Sequence, residues 1–340
     1  MNIAIFTKNW IGDVVFETPA IHAIKDNFPD ARLIAITPKR CAEVLRVNPD
    51  IAEVVVFDDR NEDKGVISKW QLIRRLKALK IDQIYLFHRS FSRALIATFA
   101  GIRERIGYDT KGRGLLLTRA VREPSDGMHA VQYFLHLLQS TGLRVSGDYQ
   151  YAFYYSEQDR LKVSSLLEKH RLDPAKLVAI NPGANWLPKR WPVECFRQLA
   201  HQLVRRYGVQ VAITGSKEDE TLGEVIMNGD GAHSSIVSLC GKTTLCELGA
   251  FFSLCRLLVS NDSGPLHIGA GVGTNVLGIF GPTDPTLTGP LGRGRNVVVH
   301  YVPDGARVPW YGKNFPFGNW LEHISVDHVL KTIEREQLLV

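Results

Sequence analysis

The sequence has few cysteines and no long apolar runs. Its five cysteines are odd in number, widely separated and free of CxxC pairs, which argues against a disulfide framework and a zinc site. The longest apolar stretch, residues 94–102, is far short of the roughly 18 residues that a membrane-spanning helix needs. The N-terminus lacks the basic leader and long apolar stretch of a secretory signal. We therefore expect a cytoplasmic protein that does not span a membrane.

Several cofactor and metal motifs are also missing. The chain has no DxD or HExxH motif and no Cys/His cluster, so we predict no metal site. The GKT at 241–243 resembles the end of a Walker A loop, but Ile236 stands where that loop needs its first glycine. A dinucleotide fingerprint requires its glycines directly after a strand, whereas the glycines of 269–273 lie inside or after a predicted helix. We therefore expect no cofactor.

Length and composition indicate a globular enzyme with two domains, since the chain has 340 residues, 45% hydrophobic and 22% charged. The net charge of +6 is uneven, because residues 60–122 hold fifteen Lys or Arg against five Asp or Glu. Such a region suits phosphates, an anionic membrane surface or nucleic acid. For the piece KWQLIRRLKALK at 69–80, a merely solvated helix surface is the alternative.

Apolar strands alternate with amphipathic helices, which predicts parallel sheets. The alternation runs from NIAIF to QIYLF, with one helix expected over VVFETPAIHAIKDNF and a loop over 105–125. After a polar connection near 145–160 it restarts at KLVAINPG. We predict an N-terminal domain at 1–155, a C-terminal domain at 156–320, and a final helix in 321–340. This helix could pack on either domain, including back on the N-terminal one.

The strand ending at VSND runs directly into a polar turn, Asn261 to Gly264, before a helix that begins near Pro265. In parallel sheets ligands collect at the carboxyl ends of strands, where helix N-termini favour anions. Ser263 is predicted to cap the helix and Gly264 to allow close approach of a phosphate. A purely structural cap is the alternative.

Other strand ends repeat this composition, at 8–13, 181–192, 214–220, 240–247 and 280–285. Lys189 lies between two tryptophans in a loop from which its ammonium could reach a phosphate; a solvated loop charge is the alternative. Thr244 and Glu247 have the spacing of a capping box.

The segments KNWIGDVVFETPAI, NPGANWLPKRWP, SNDSGPLHIGA and GIFGPTDP, in this order over nearly the whole chain, resemble the ADP-heptose:lipopolysaccharide heptosyltransferases, glycosyltransferase family 9. The resemblance implies a GT-B fold, in which two Rossmann-like domains face each other across a cleft. The N-terminal domain would bind the acceptor and the C-terminal domain the nucleotide sugar. Residues 88–108 and the IGD turn are more similar to the second heptosyltransferase of the family than to the first.

The resemblance implies an inverting, metal-independent transfer from ADP-heptose, with Asp13 as the base; a helix N-cap role is the alternative for Asp13. Lys189 would stabilise the leaving diphosphate together with the helix N-terminus at Ser263 and Gly264. The remaining predicted donor-binding residues are Asn181, Gly183, Thr243 beside the adenine, Asp262 and His267. The ribose carboxylate is expected at Asp219, with Glu218 and Glu220 as alternatives.

The implied acceptor is the phosphorylated lipid A core at the cytosolic leaflet, which gives the basic N-terminal region a partner. Candidate acceptor contacts are Arg89, Arg93, Lys111 and Arg113, and the loop at 109–114 could order on acceptor binding. Peripheral contact with the anionic inner membrane is expected, and a nucleic-acid partner is not, because no recognition module is present. The alternatives are a GT-B-like sugar-nucleotide epimerase and a family 9 transferase that uses another sugar donor.

Overall fold

The computed structural model describes residues 1–58, 62–125, 127–145, 150–228, 235–306 and 320–339. The chain divides into two compact units, Met1–Tyr151 and Ala152–Val340, which are described one at a time.

In the described part of the first unit, six parallel strands form one sheet. The strands are β1 (Asn2–Phe6), β2 (Arg32–Thr37), β3 (Glu53–Val56), β4 (Gln83–Leu86), β5 (Glu104–Tyr108) and β6 (Arg119–Val121). They lie in the order β3-β2-β1-β4-β5-β6. The helices are α1 (Ile11–Phe16), α2 (Thr18–Asn27), α3 (Ala42–Arg46), α4 (Val66–Ala78), α5 (Phe91–Phe99) and α6 (Ala130–Gln139).

The described part of the second unit also contains a sheet of six parallel strands. They are β7 (Leu177–Asn181), β8 (Gln210–Ile213), β9 (Ile236–Ser238), β10 (Leu257–Asn261), β11 (Val276–Phe280) and β12 (Asn296–His300). Their order is β12-β11-β10-β7-β8-β9. The helices are α7 (Glu157–His170), α8 (Val193–Tyr207), α9 (Glu220–Met227), α10 (Leu245–Phe252), α11 (Gly264–Gly271), α12 (Pro285–Thr288) and α13 (Val326–Arg335).

Both sheets have the Rossmann strand order, in which the first and fourth strands of a unit are neighbours. The central strands β1 and β10 are almost continuously apolar and buried, as expected for strands that are covered by helices on both faces. The predicted α/β fold class with two Rossmann-like domains is therefore confirmed. The point between the first and fourth strands is where such sheets bind ligands.

Two local predictions were wrong. The single helix expected over VVFETPAIHAIKDNF is two helices, α1 and α2, which divide at Glu17 just before Pro19. The loop expected over 105–125 contains most of β5 and all of β6. The polar connection near 145–160 leads into α7, which begins at a capping box between Ser156 and Asp159.

The C-terminal helix α13 packs within the second unit. Leu330 and Ile333 belong to the same buried cluster as Phe196 of α8. The indole N–H of Trp191 donates to the carbonyl of Ile324, just before α13, at 2.8 Å. The sequence left open on which domain this helix packs, and in the structure it packs on the C-terminal one. Among the described helices, none combines the length and apolar character needed to cross a bilayer.

We predict that Phe196→Ala destabilises the second unit by about 3–5 kcal/mol, because it leaves a cavity in the core and removes the edge contact with the Trp191 ring. Urea unfolding followed by tryptophan fluorescence measures this loss. Leu161→Ala is the control, since Leu161 of the same unit is 55% exposed and should change the unfolding free energy by less than about 0.5 kcal/mol. Equal effects of the two substitutions would contradict the packing described.

Candidate functional site

In the second unit, the turns after β7 and β10 are joined by the side chain of Asn261. Its amide donates to the carbonyl of Pro182 at 2.7 Å, and its carbonyl oxygen accepts from the backbone N–H of Trp191 at 3.0 Å. Asn261 is fully buried. The loop that carries Lys189 is therefore anchored at both ends to the end of β10.

Asp262 is the centre of a buried polar cluster at this edge. Its Oδ2 atom accepts from the Lys189 ammonium at 2.5 Å and from the Thr283 hydroxyl at 2.7 Å, and His267 Nε2 lies 3.8 Å from Oδ1. Burial alone would raise the pKa of Asp262, but the Lys189 charge and His267 together outweigh it and hold this pKa far below its usual range. The carboxylate is therefore ionised at neutral pH.

The helix α11 begins directly after Asp262, with Ser263 as the N-cap residue in extended conformation and Pro265 in the first turn. The predicted capping hydrogen bond from the Ser263 side chain is absent within the described structure. Among the described residues, the backbone N–H groups of Ser263 and Gly264 donate to no acceptor of the protein. Two amides and the Lys189 ammonium thus lie at the positive end of a helix, which is the composition of an anion site.

The predicted role of Asp219 needs correction. This side chain is buried, and its Oδ2 accepts from the backbone N–H and the hydroxyl of Ser216, both at 2.9 Å, in a capping box. A Cβ atom on Gly183 would come within 2.7 Å of Asp219 Oδ2, so Gly183 permits this packing. Asn181 is equally buried and donates to the Thr214 carbonyl at 3.0 Å. Among the described residues, Asp219 is thus engaged in a capping box, whereas Oδ1 of Asn181 has no hydrogen-bond partner, and the donor-binding roles of Asn181 and Gly183 stay predictions.

Glu218 and Glu220, the alternatives in the sequence analysis, are both exposed. Oε1 of Glu220 would lie 3.2 Å from a Cβ on Gly241, where a positive φ of 69° suits glycine. The carboxylate is thus beside the turn that contains Thr243, which is partly exposed. The capping box between Thr244 and Glu247, which begins α10, is confirmed.

In the first unit, Asp13 lies in the first turn of α1, and the N-cap position belongs to Trp10. The alternative N-cap role for Asp13 is therefore wrong. The helix places Glu17 one turn later, and the Lys8 backbone N–H donates to Glu17 Oε1 at 2.7 Å. Two carboxylates and one ammonium thus follow β1 within eleven residues.

Burial and mutual charge shift the pKa values of this group. Burial lowers the pKa of Lys8, an effect that the Asp13 charge opposes. Burial also raises the pKa of Glu17 well above its usual range, and the Asp13 charge adds to this shift. The charges of Lys8, Asp13 and Glu17 thus act on one another, and the Lys8 charge opposes the shift of Glu17. The sequence analysis missed Lys8, Glu17 and, in the second unit, Thr283; the only signal was their place in motifs at strand ends.

Two of the predicted acceptor contacts are corrected by their burial. Arg93 and Arg113 are both 0% exposed. Arg93 donates to the Thr7 carbonyl and to Asn9 Oδ1, both at 2.6 Å, and Arg113 donates to the Tyr108 carbonyl at 2.7 Å. Burial lowers the pKa of Arg113 to about 10. These arginines hold the ends of strands together and do not face an acceptor.

The other two predicted acceptor contacts reach the surface. Lys111 is exposed, in a turn where its φ is +54°. Arg89 is partly exposed and forms an ion pair of 2.6 Å with Glu123, which also accepts from the Tyr133 hydroxyl at 2.7 Å. Both residues follow strands of the first sheet, so they lie at the same edge as Asp13.

The comparisons agree with this architecture. The model of glycosyltransferase family 9 (heptosyltransferase) matches residues 69–307, more than half of the chain. Lipooligosaccharide heptosyltransferase 2 of Haemophilus ducreyi is 27% identical over 318 residues, covering 90% of each protein.

Two solved structures share the fold. The structure of Escherichia coli ADP-heptose lps heptosyltransferase II has a TM-score of 0.81 and 24% identity, covering 100% of this chain and 98% of that one. A glycosyl transferase family 9 structure from Veillonella parvula has a TM-score of 0.83 and 22% identity, covering 99% of this chain and 97% of that one. The resemblance to heptosyltransferase II is thus confirmed.

We predict that Asp262→Asn destabilises the second unit at neutral pH, because it leaves the largely buried Lys189 ammonium without its carboxylate. Since the pKa of Asp262 is lowered by folding, its contribution is present above the unfolded value of about 3.9 and is lost as the pH falls below it. The difference in urea midpoint between native and variant should therefore shrink between about pH 5 and pH 2.

The matched control is Asp327→Asn in the same unit, which removes an ion pair with Lys331 whose side chains are 62% and 74% exposed. This control should lower the free energy of unfolding by less than about 1 kcal/mol at neutral pH. If the difference in urea midpoint between the native chain and Asp262→Asn stayed constant with pH, the ionised state assigned to Asp262 would be refuted.

Proposed function

Since the chain belongs to glycosyltransferase family 9, we propose that it moves heptose from ADP-heptose to the phosphorylated inner core of lipopolysaccharide, by inversion and without a metal ion. The observation that carries the proposal is the pair of amides at Ser263 and Gly264, which donate to no acceptor among the described residues, beside the Lys189 ammonium. A diphosphate is the part of such a donor that this arrangement would bind.

On the donor side, the leaving group must gain negative charge as the sugar departs. Fixed donors that are already oriented stabilise such charge without reorganising. The N-terminus of α11 supplies two backbone N–H groups, and Lys189 supplies a cation that Asp262 holds in place at 2.5 Å. These groups support a transfer in which no metal ion need neutralise the diphosphate. Glu220 and Thr243 are assigned to the ribose and adenine, on the basis of their position beside Gly241.

On the acceptor side, Asp13 is the proposed general base. A general base accepts the proton as a carboxylate, and Asp13 is a partly exposed carboxyl group whose charge interacts with the Lys8 ammonium. The acceptor hydroxyl oxygen bonds to the anomeric carbon while the bond from that carbon to the diphosphate oxygen breaks. The hydroxyl proton passes to Asp13 and ADP leaves with the bonding electrons. Attack opposite to the leaving group inverts the anomeric configuration.

Lys111 and Arg89 are the acceptor contacts that remain after the structural corrections. Both are cationic groups on the surface of the first unit, as a phosphorylated core requires. The similarity to heptosyltransferase II supports an acceptor that already carries one heptose. Such an acceptor is anchored in a bilayer, so the proposal includes contact of the enzyme with the cytosolic membrane surface.

We predict that the native chain, incubated with ADP-heptose and a truncated lipopolysaccharide core in EDTA, adds one heptose, detected by mass spectrometry. Asp13→Asn should lower the rate by about 10²–10⁴-fold, the range for loss of a general base, while ADP still binds. Asp30→Asn, an exposed aspartate of the same unit, is the control and should keep native activity.

Conversion of ADP-heptose without any acceptor would instead identify an epimerase. Transfer from a different nucleotide sugar, with ADP-heptose inert, would keep the family but reject the proposed donor. A requirement for a divalent cation, lost in EDTA and restored by Mg²⁺, would reject the metal-independent mechanism.

A further inference from the structure

The first unit exposes large apolar side chains at the start of two neighbouring helices. Val66, Ile67 and Trp70 of α4 are 82%, 74% and 55% exposed, and Phe91 of α5 is 45% exposed. Soluble surfaces rarely concentrate such residues without a binding partner. We name these four residues the apolar rim.

The apolar rim lies at a defined edge of the fold. The helices α4 and α5 pack side by side on one face of the first sheet, where both contribute to a single buried cluster with Phe6 and Leu86. Each helix begins where the chain leaves the carboxyl edge of this sheet. Asp13, which follows β1, and Lys111, which follows β5, leave the same edge.

Cations continue from the apolar rim along α4, which Glu62 and Asp63 precede. The helix α4 has no acidic residue and carries Lys69, Arg74, Arg75 and Lys77. Arg75 forms an ion pair with Glu53, whereas Lys69, Arg74 and Lys77 contact no carboxylate among the described residues. Exposed aliphatic and aromatic side chains next to unpaired cations are the composition of a surface that binds an anionic bilayer.

We propose that the apolar rim, with the cations of α4, docks the enzyme on an anionic lipid bilayer. The proposal rests on the proposed function, because it places the carboxyl edge of the first sheet, and with it Asp13, towards a membrane that holds the acceptor. Tryptophan is suited to this position because its ring is apolar and its N–H remains hydrated at the headgroups. A second copy of the chain would bring the same positive charge to the surface, which disfavours self-association there.

The test is flotation of the full chain with vesicles of phosphatidylcholine alone or with 30 mol% phosphatidylglycerol, a probe composition. The native chain should bind only the anionic vesicles, and more weakly at high salt. Lys69→Gln/Arg74→Gln/Lys77→Gln should weaken binding on the order of a hundredfold, given the contribution of each cation near such a surface. Ile67→Ser/Trp70→Ser should also lose binding, whereas Leu161→Ser, an exposed leucine of the second unit, should not.

A second measurement reports insertion of one side chain. Lipids brominated in the acyl chain should quench native tryptophan fluorescence, and Trp70→Phe should bind vesicles normally but lose the part of the quenching that Trp70 contributes, since the partly exposed Trp10 and Trp186 remain in both chains. The buried Trp191 and Trp320 should remain unquenched in both. Native-like vesicle binding by the serine and glutamine variants would overturn the proposal. So would salt-sensitive binding to duplex DNA without binding to vesicles, or dimerisation that the serine variant abolishes.

The outcome is separable from that of the proposed function, because flotation needs no sugar transfer. With a delipidated core oligosaccharide, the serine variant should keep native transfer rates, and with the same core on lipid A in vesicles it should be slower. Vesicle binding by a chain that transfers no heptose to any acceptor would reject the proposed function and leave the docking surface intact. Equal rates of the native chain and the serine variant on both acceptors would reject the docking surface alone.

Discussion

The ion pair between Lys189 and Asp262 is the constraint on which the proposed donor site depends. A carboxylate that is 4% exposed is stable in its ionised form only with a nearby cation, and the Lys189 ammonium at 2.5 Å supplies it. The pair holds the loop after β7 against the start of α11, with Asn261 anchoring the same loop through its backbone. The structure therefore keeps a cation at a helix N-terminus before any anion binds, which is the preorganisation that stabilisation of a leaving diphosphate requires.

In the first unit, burial acts on a group of neighbouring charges that follows β1. Asp13 and Glu17 lie one helical turn apart beside Lys8, and a single ammonium cannot stabilise two adjacent carboxylates equally. Burial raises the pKa of Glu17, and the charge of the partly exposed Asp13 adds to this shift. Arg93 and Arg113 fix the strand ends around this turn through carbonyl groups. Their charge thus serves the rigidity of the edge and not the binding of an acceptor.

Much of the fold and the polar cluster around Asp262 could be predicted, because strand periodicity and polar turns at strand ends are local in the sequence. Features that depend on packing between distant parts of the sequence could not be predicted. The sequence of a basic segment does not show which of its arginines are buried, so Arg93 and Arg113 were assigned to the acceptor. Within SKEDE, only the close approach to Gly183 and Gly215 shows that Asp219 turns inwards while Glu220 stays exposed. The strands β5 and β6 were missed because glycines and cations break their apolar pattern.

The most direct test of the account is amide hydrogen exchange of Ser263 and Gly264, measured by NMR with saturating ADP and with saturating AMP. These amides, which have no acceptor among the described residues, should exchange fast in the unliganded chain and slow markedly with ADP, whose second phosphate is proposed to bind at the start of α11. AMP should protect them less. Exchange that is unchanged by ADP, at a concentration where calorimetry shows full occupancy, would contradict the assignment of this helix end and of Lys189 to the diphosphate.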